Sequence, residues 1–326
     1  MTIELKTGIE RENRREDYIT KQAGAPLDRE MSIPQWTAFL DTVTDHNVEL
    51  QKYLQRVCGY CTTGVTIEHV LFFFYGTGAN GKSVFLGTIR GVLGDYATTA
   101  PMEMLMESKN ERHPTELARL MGVRLVIAQE LERNQRWAES KIKSMTGGDK
   151  ITARFMRQDF FEFTPKFKLM IAGNHKPSLR GVDEAIRRRI HLIPFTVTIP
   201  PQLRDKQLAE KLRTEWPGIL AWCLEGCLEY QRVGLNPPKT VLDATAEYLR
   251  DQDTLGQWID ECCNRDEPTS ETLSSKLYAN WKDWAQTNGL TVGSNKTFTQ
   301  ALIDRGFARK HTKKGSAIVG LTLQCS

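Results

Sequence analysis

Two observations in the sequence predict an α/β fold built on a parallel sheet. A short apolar run, Val70-Leu-Phe-Phe-Phe-Tyr75, passes directly into Gly76-Thr-Gly-Ala-Asn-Gly-Lys-Ser83 and then into an apolar helical face of Val84, Leu86, Ile89, Val92 and Leu93. From residue 64 to residue 200, short strand-like runs alternate with helical stretches, the pattern of a sheet wrapped by helices.

Ahead of this region, residues 1–63 read as a small helical lead-in, with Trp36, Phe39, Leu40 and then Leu50, Tyr53, Leu54 and Val57 at helical spacings. Strands are expected at Val70 to Tyr75, Arg124 to Ala128, Lys168 to Ala172 and Ile190 to Phe195. Between the second and third, Ile151 to Phe155 and Phe160 to Phe163 flank Met156-Arg-Gln-Asp159 and predict a hairpin. Pro200-Pro201 breaks the chain. Residues 201–250 return to helix, with Leu208, Leu212, Ile219, Leu220 and Leu224 apolar. Residues 251–326 predict three helices and a two-stranded ending joined by Thr312-Lys-Lys-Gly-Ser316, an order that suits a winged helix.

Composition sets the class. With 326 residues, 40% hydrophobic and 26% charged, the chain has room for about two domains. No apolar run approaches the ~20 residues of a membrane helix, and residues 1–17 lack the apolar core of a signal peptide, so a cytoplasmic location, bacterial or host, is expected. Seven scattered cysteines suggest free thiols, and Cys58-Gly-Tyr-Cys61 has neither a second pair nor enough histidines beside His69 to close a zinc site. The net charge of +4 is mild. Arg305, Arg309, Lys310, Lys313 and Lys314 stand against Asp304 alone, however, so one segment holds as much positive charge as the whole chain has in excess. That segment reads as a phosphate-binding turn or as a solvated basic loop.

The loop from Gly76 to Ser83 has the GxxxxGK[ST] spacing that wraps a phosphate chain in backbone N–H groups at the mouth of a helix. The cradle is Gly76, Thr77, Gly78, Ala79, Asn80, Gly81, Lys82, Ser83 and Val84. Freedom at φ is expected at Gly76, Gly78 and Gly81, a point charge for the β and γ phosphates from Lys82, and a hydroxyl ligand for Mg²⁺ from Ser83. ATP with Mg²⁺ is the implied pair. Hydrolysis also needs an acid to hold the metal and orient water, and Glu130, directly after the run Leu125-Val-Ile-Ala-Gln129, is placed for it, with Glu132 second by alternation. Asn174, after the third strand, could reach a γ-phosphate or the attacking water, although a turn asparagine also serves its own backbone. Arg187-Arg188-Arg189 offers guanidinium groups suited to a transferring phosphoryl group or to surface ion pairs.

With these residues in place the chain resembles the superfamily III helicases, most closely the helicase half of phage and plasmid primase-helicases. The resemblance runs from about Pro34 to Leu323. It rests on Phe39-Leu40, Tyr53-Leu-Gln-Arg56, the glycine loop, Thr115-Glu-Leu-Ala-Arg-Leu120, Arg124-Leu-Val-Ile-Ala-Gln-Glu130, Thr146-Gly-Gly-Asp149, Asn174, Pro177, Arg188-Arg189 and Ile193-Pro-Phe195, in that order. It implies an AAA+-type ATPase core that assembles as a ring, usually a hexamer, and translocates on single-stranded or forked DNA during replication of a phage or mobile element. Asn174 matches the family's polar sensor, and Arg188 or Arg189 its arginine finger across the subunit interface. The hairpin matches its pore loop, which makes Lys150, Arg154 and Arg157 candidates for the DNA backbone, with Lys310, Lys313 and Lys314 on the winged-helix-like ending.

Two departures qualify the resemblance. Many relatives carry a primase or polymerase domain ahead of the helicase, whereas only some sixty residues precede the loop here, and Asp251-Gln-Asp253 is the sole DxD. Primer synthesis is therefore expected from a separate primase or polymerase, or from the rest of a longer chain. The alternative reading is an ATP-controlled replication initiator that binds an origin without processive unwinding. A small-molecule P-loop kinase is disfavoured by the basic ending and the lack of an arginine-rich lid.

Overall fold

The structure is a computed structural model that describes residues 1–107, 115–129, 135–179, 181–290 and 292–324. The chain divides into two compact units, residues 1–180 with 185–248, and residues 181–184 with 249–326.

The first unit opens with an antiparallel pair, β1 (Thr2–Glu4) and β2 (Ile9–Arg11), in register Ile3 to Glu10. The expected helical lead-in is thus corrected for its first half. Residues 1–33 carry no run of apolar residues at helical spacing, and their backbone pairs elsewhere, Gly24 N–H donating to Val92 O and Asp95 N–H to Gln22 O at 2.9 Å each. Helix begins at α1 (Pro34–Val43), where Pro34 needs no N–H partner, and continues in α2 (Val48–Thr62), capped by Asn47 accepting from Leu50 N–H. The orphan N–H groups of Gln35 and Trp36 donate to the buried Glu215 carboxylate at 2.9 Å each.

The core of the unit is a five-stranded parallel sheet. Its members in chain order are β3 (Leu71–Tyr75), then helix α3 (Lys82–Leu93), β4 (Ala97–Thr99), α4 (Thr115–Ala118), β5 (Leu125–Gln129), α5 (Glu139–Gly147), the antiparallel pair β6 (Ile151–Ala153) and β7 (Phe161–Phe163), β8 (Lys168–Gly173), α6 (Glu184–Arg187) and β9 (Ile190–Pro194). The spatial order is β4-β5-β8-β3-β9, with β6 and β7 forming a separate hairpin. All four expected strands are present within a residue or so. The edge strand β4 is additional, its Ala-Thr-Thr too short and polar to announce itself.

Because β3 lies inside the sheet, both of its faces are covered and its sequence runs apolar without alternation. Phe72 and Phe74 share one face with Leu125, Ile127, Met170 and Ala172, and α3 covers that face through Phe85, whose ring lies 5.5 Å from Phe74 and 5.8 Å from Phe195. Phe73 points the other way, onto Trp137 at 5.7 Å. Each such buried ring contributes roughly 1.5–3 kcal/mol.

After β9, the return to helix expected there comes as α7 (Leu208–Thr214) and α8 (Trp216–Val233), and α9 (Lys239–Gln252) follows. The break falls where Pro217 enters the first turn of α8 and Glu215 turns its side chain to α1. α8 packs backbone to backbone on α2, since a Cβ at Gly59 would lie 2.0 Å from Cys227 N.

The second unit holds α10 (Thr254–Cys262), β10 (Cys263–Asn264), β11 (Glu271–Leu273), α11 (Ser274–Thr287), α12 (Asn295–Asp304), β12 (Arg309–Thr312), β13 (Gly315–Val319) and β14 (Thr322–Leu323). β12 and β13 are the expected two-stranded ending. The sequence reading missed β11, which pairs with β13 to make a three-stranded sheet. Trp258, Leu277, Trp281, Phe298, Leu302, Ile318 and Leu321 form its core. Among the described residues, no helix is long and apolar enough to cross a membrane.

Candidate nucleotide and nucleic-acid sites

The strand order creates the site. The chain leaves β3 for the far edge, returns through β5 and β8, and then crosses β3 to reach β9. The carboxyl ends of β3 and β8 therefore lie side by side at a point where the connections diverge, the usual location of a ligand in an open parallel sheet. The register sets Tyr75 opposite Gly173, which brings the glycine loop beside Asn174.

The loop has the backbone of a cradle, with φ of 106° at Gly78, 50° at Ala79 and 83° at Gly81. Gly76 differs from expectation, as it has no positive φ. A Cβ there would lie 2.0 Å from Phe195 O and 2.3 Å from Asn80 Nδ2, so close approach requires the glycine and not torsional freedom. The exit of β9 clasps the loop, with Phe195 N–H donating to Tyr75 O at 2.8 Å and Ile199 N–H to Ala79 O at 2.9 Å. α3 starts at Lys82 with no side-chain cap and no acidic residue in its first turn, so its leading N–H groups suit an anion. Thr77 and Ser83 are exposed there, and Val84 is half-buried.

Lys82 is only 5% exposed, and its ammonium donates to Gly76 O at 2.8 Å, Asn80 Oδ1 at 3.0 Å and Asn174 Oδ1 at 3.2 Å. All three acceptors are neutral. Desolvation by burial holds this lysine below its ordinary pKa. Glu130 and Glu132 lie outside the described residues. β5 is described to Gln129, which pairs with Ala172 of β8, one strand removed from β3.

Arg188 and Arg189 sit at the other end of the sheet and differ sharply in setting. Arg189 is 7% exposed, donating from Nε to Thr146 Oγ1 at 3.1 Å and from Nη1 to Ala185 O at 2.7 Å, while its carbonyl accepts from Leu71 N–H. Arg188 is exposed, with no side-chain partner among the described residues. Nothing in the sequence separates the two, because Thr146 lies far away along the chain.

The hairpin of β6 and β7 carries the next group. Lys150 pairs with Glu162 at 3.5 Å, and Arg154 stacks over the Phe160 ring at 4.9 Å. Arg157 is exposed at the tip with φ of 61°. The sequence reading named the cations and missed their company, for Phe160 is 61% and Met156 69% exposed. In the second unit Lys310 is paired with Glu271, whereas Lys313 and Lys314 lie exposed at the turn between β12 and β13.

Residues 74–189 match a family of unknown function (DUF5906). A protein of Acanthamoeba polyphaga mimivirus named Putative helicase L207/L206 is 27% identical over 259 residues, covering 73% of this chain and 27% of that protein. The chain is a distant homologue of viral proteins that bear this name. Putative helicase 022R of Frog virus 3 is 29% identical over 261 residues, covering 73% of this chain and 26% of that protein. The chain thus spans about a quarter of the length of these relatives. Among solved structures, the apo A form of the NrS-1 C-terminal region superposes with a TM-score of 0.57 over 93% of this chain and 79% of that one, at 11% identity, a likeness of fold.

Proposed function

We propose that this chain is an ATP-dependent DNA helicase of the superfamily III, AAA+ type, belonging to a phage or mobile element and forming a ring, a hexamer by family resemblance, on single-stranded DNA. One observation carries the reading. β9 runs parallel to β3 with Leu71 opposite Ile190 and Tyr75 opposite Pro194, so Arg188 precedes one end of the sheet and Lys82 follows the other. Five strand residues at ~3.3 Å each put about 16 Å of packed sheet between them. An arginine so placed cannot serve the phosphates held by its own loop, but it suits those of an adjacent copy, and head-to-tail contacts of that kind close into rings.

Within that reading the loop from Gly76 to Val84 holds the phosphates and Lys82 their charge. Glu130 orients the attacking water, Asn174 contacts the terminal phosphate and the neighbour's Arg188 stabilises the transferring group. The exposed Ser83 hydroxyl, in the first turn beside the cradle, fits a hard cation and would hold Mg²⁺ together with Glu130. When bound, that ion neutralises charge on the phosphate oxygens. The hairpin grips the strand through Arg154 and Arg157. The second unit acts as a winged helix, with Lys313 and Lys314 on phosphates and Lys310 already paired to Glu271.

A forked substrate tests the proposal. ATP-dependent strand displacement, lost in Lys82→Ala, is expected, with native mass spectrometry reporting ring size and DNA occupancy. Strong ATP turnover and tight origin binding on a fork that stays duplexed would replace it with the initiator reading.

A further inference from the structure

Asn80 sits in the glycine loop with its side chain turned to Phe195 and Lys82, and it is 4% exposed. Its two amide atoms face opposite ways. Nδ2 donates to Phe195 O at 2.8 Å, and Oδ1 accepts from the Lys82 ammonium at 3.0 Å. These partners fix the orientation of the amide, because the reverse would set oxygen against oxygen and NH₂ against NH₃⁺. Gly76 leaves the room for this bridge, since a Cβ there would collide with both Asn80 Nδ2 and Phe195 O.

We propose that Asn80 is a positioning residue for nucleotide binding, one that fixes the Lys82 ammonium against the exit of β9 so that it meets the phosphates already aimed. The inference rests on the ATP-site reading above. Of the three acceptors around Lys82, Gly76 O belongs to the loop backbone and Asn80 Oδ1 is buried and anchored to Phe195. Asn174 Oδ1 belongs to an exposed side chain at the longest of the three distances, 3.2 Å. Arriving phosphate oxygens therefore displace Asn174, freeing it for the nucleotide, while Asn80 keeps its hold. The same bridge ties Lys82 to β9, the strand that follows Arg188 and Arg189. No other residue type serves both ends as well. Alanine leaves a carbonyl and an ammonium proton without partners, whereas aspartate keeps the shape but faces Phe195 O with a second acceptor and holds Lys82 as an ion pair.

The test compares the affinity of the full chain for a fluorescent ATP analogue with Mg²⁺ in four forms: wild type, Asn80→Ala, Lys82→Ala and the double variant. Asn80→Ala is expected to bind about 10-fold more weakly, and Asn80→Asp more weakly still because its carboxylate competes with phosphate for Lys82. In the Lys82→Ala background Asn80→Ala should cost less than about 2-fold more, the signature of a residue that acts through the lysine. Wild-type affinity in Asn80→Ala, or an equal loss with and without Lys82, overturns the inference. Asn80→Ser, too short to span both partners, gives the same reading if the alanine variant does not fold. A wild-type chain that fails to bind the analogue would instead refute the ATP-site reading itself.

Discussion

Arg188 and Arg189 are neighbours in sequence with opposite surroundings, so replacing them singly separates a buried residue of the fold from an exposed one. Among the described residues, Arg189→Ala removes hydrogen bonds made by a buried guanidinium at 3.1 Å and 2.7 Å. Bonds to charged groups contribute about 1.5–3 kcal/mol each. The lower figure applies, because Thr146 Oγ1 keeps its own bond to Ile142 O at 2.7 Å, and the variant should lose at least about 3 kcal/mol from these bonds. At roughly 2–4 °C per kcal/mol for a unit of this size, its thermal midpoint should fall by about 6–12 °C. Arg188→Ala changes an exposed side chain and should stay within about 0.5 kcal/mol of wild type.

Turnover should show the reverse emphasis. Arg188→Ala folds and binds ATP but loses about a thousand-fold or more in hydrolysis, the scale of an arginine that acts on a transferring phosphoryl group. Mixed with Lys82→Ala chains, it regains activity, because about a quarter of the interfaces in a random ring join an intact loop to an intact arginine. Circular dichroism melts and a phosphate-release assay on the same preparations read both quantities. The reasoning fails if Arg189→Ala melts with wild type, if Arg188→Ala hydrolyses ATP normally, or if mixing restores nothing.

Other outcomes follow from the same geometry. Glu130→Gln should retain ATP binding and lose hydrolysis, and normal turnover in a phosphate-release assay would remove Glu130 from its role. Replacing Arg154 and Arg157 with alanine should weaken single-strand binding and lower the slope of log affinity against log salt by up to about 1 per residue, whereas Phe160→Ala should weaken binding at an unchanged slope. His191 is half-buried, with its Nδ1 2.5 Å from the Tyr53 hydroxyl, and desolvation lowers its pKa to about 4 from an ordinary 6.5. The folded chain thus keeps this ring neutral where the unfolded chain protonates it. Its contribution is complete above pH 6.5 and drains away as pH falls toward 4, by about 2 kcal/mol at pH 5. Urea midpoints of His191→Gln should show a correspondingly flatter acid limb. Gly59→Ala, whose Cβ would meet Cys227 N at 2.0 Å, should force α2 and α8 apart and appear as a large drop in the urea midpoint.

What the sequence made legible follows its range of interaction. The strands β3, β5, β8 and β9 were readable because burial on both faces writes an unbroken apolar run, and α3 because its apolar spacing begins directly after Lys82. The hairpin at Thr2 to Arg11 and the strand β11 left no such trace, for each is three residues to a strand and draws its stability from distant partners. The same limit applies in the site. The spacing of Gly76 to Ser83 is local and predicts a cradle from sequence alone, whereas the contacts of Asn80 with Phe195 and of Arg189 with Thr146 exist only once the sheet has formed.

The parallel sheet also constrains how such a site could report its state. Lys82 touches Asn174 at the exit of β8 and, through Asn80, Phe195 at the exit of β9, while Arg189 binds the chain at the entrance of β9 to Thr146 near the end of α5. Both strands are hydrogen-bonded to β3 along their length and buried between apolar layers. A sheet packed in this way does not stretch by a fraction of an ångström per residue, so a change at the phosphates moves the entrance of β9 as one body or leaves it in place. Arg189 is buried and bonds to Thr146 near the end of α5, and α5 precedes the hairpin in the chain. The two adjacent arginines thus differ in setting, one bonded to the helix that precedes the hairpin and the other facing outward.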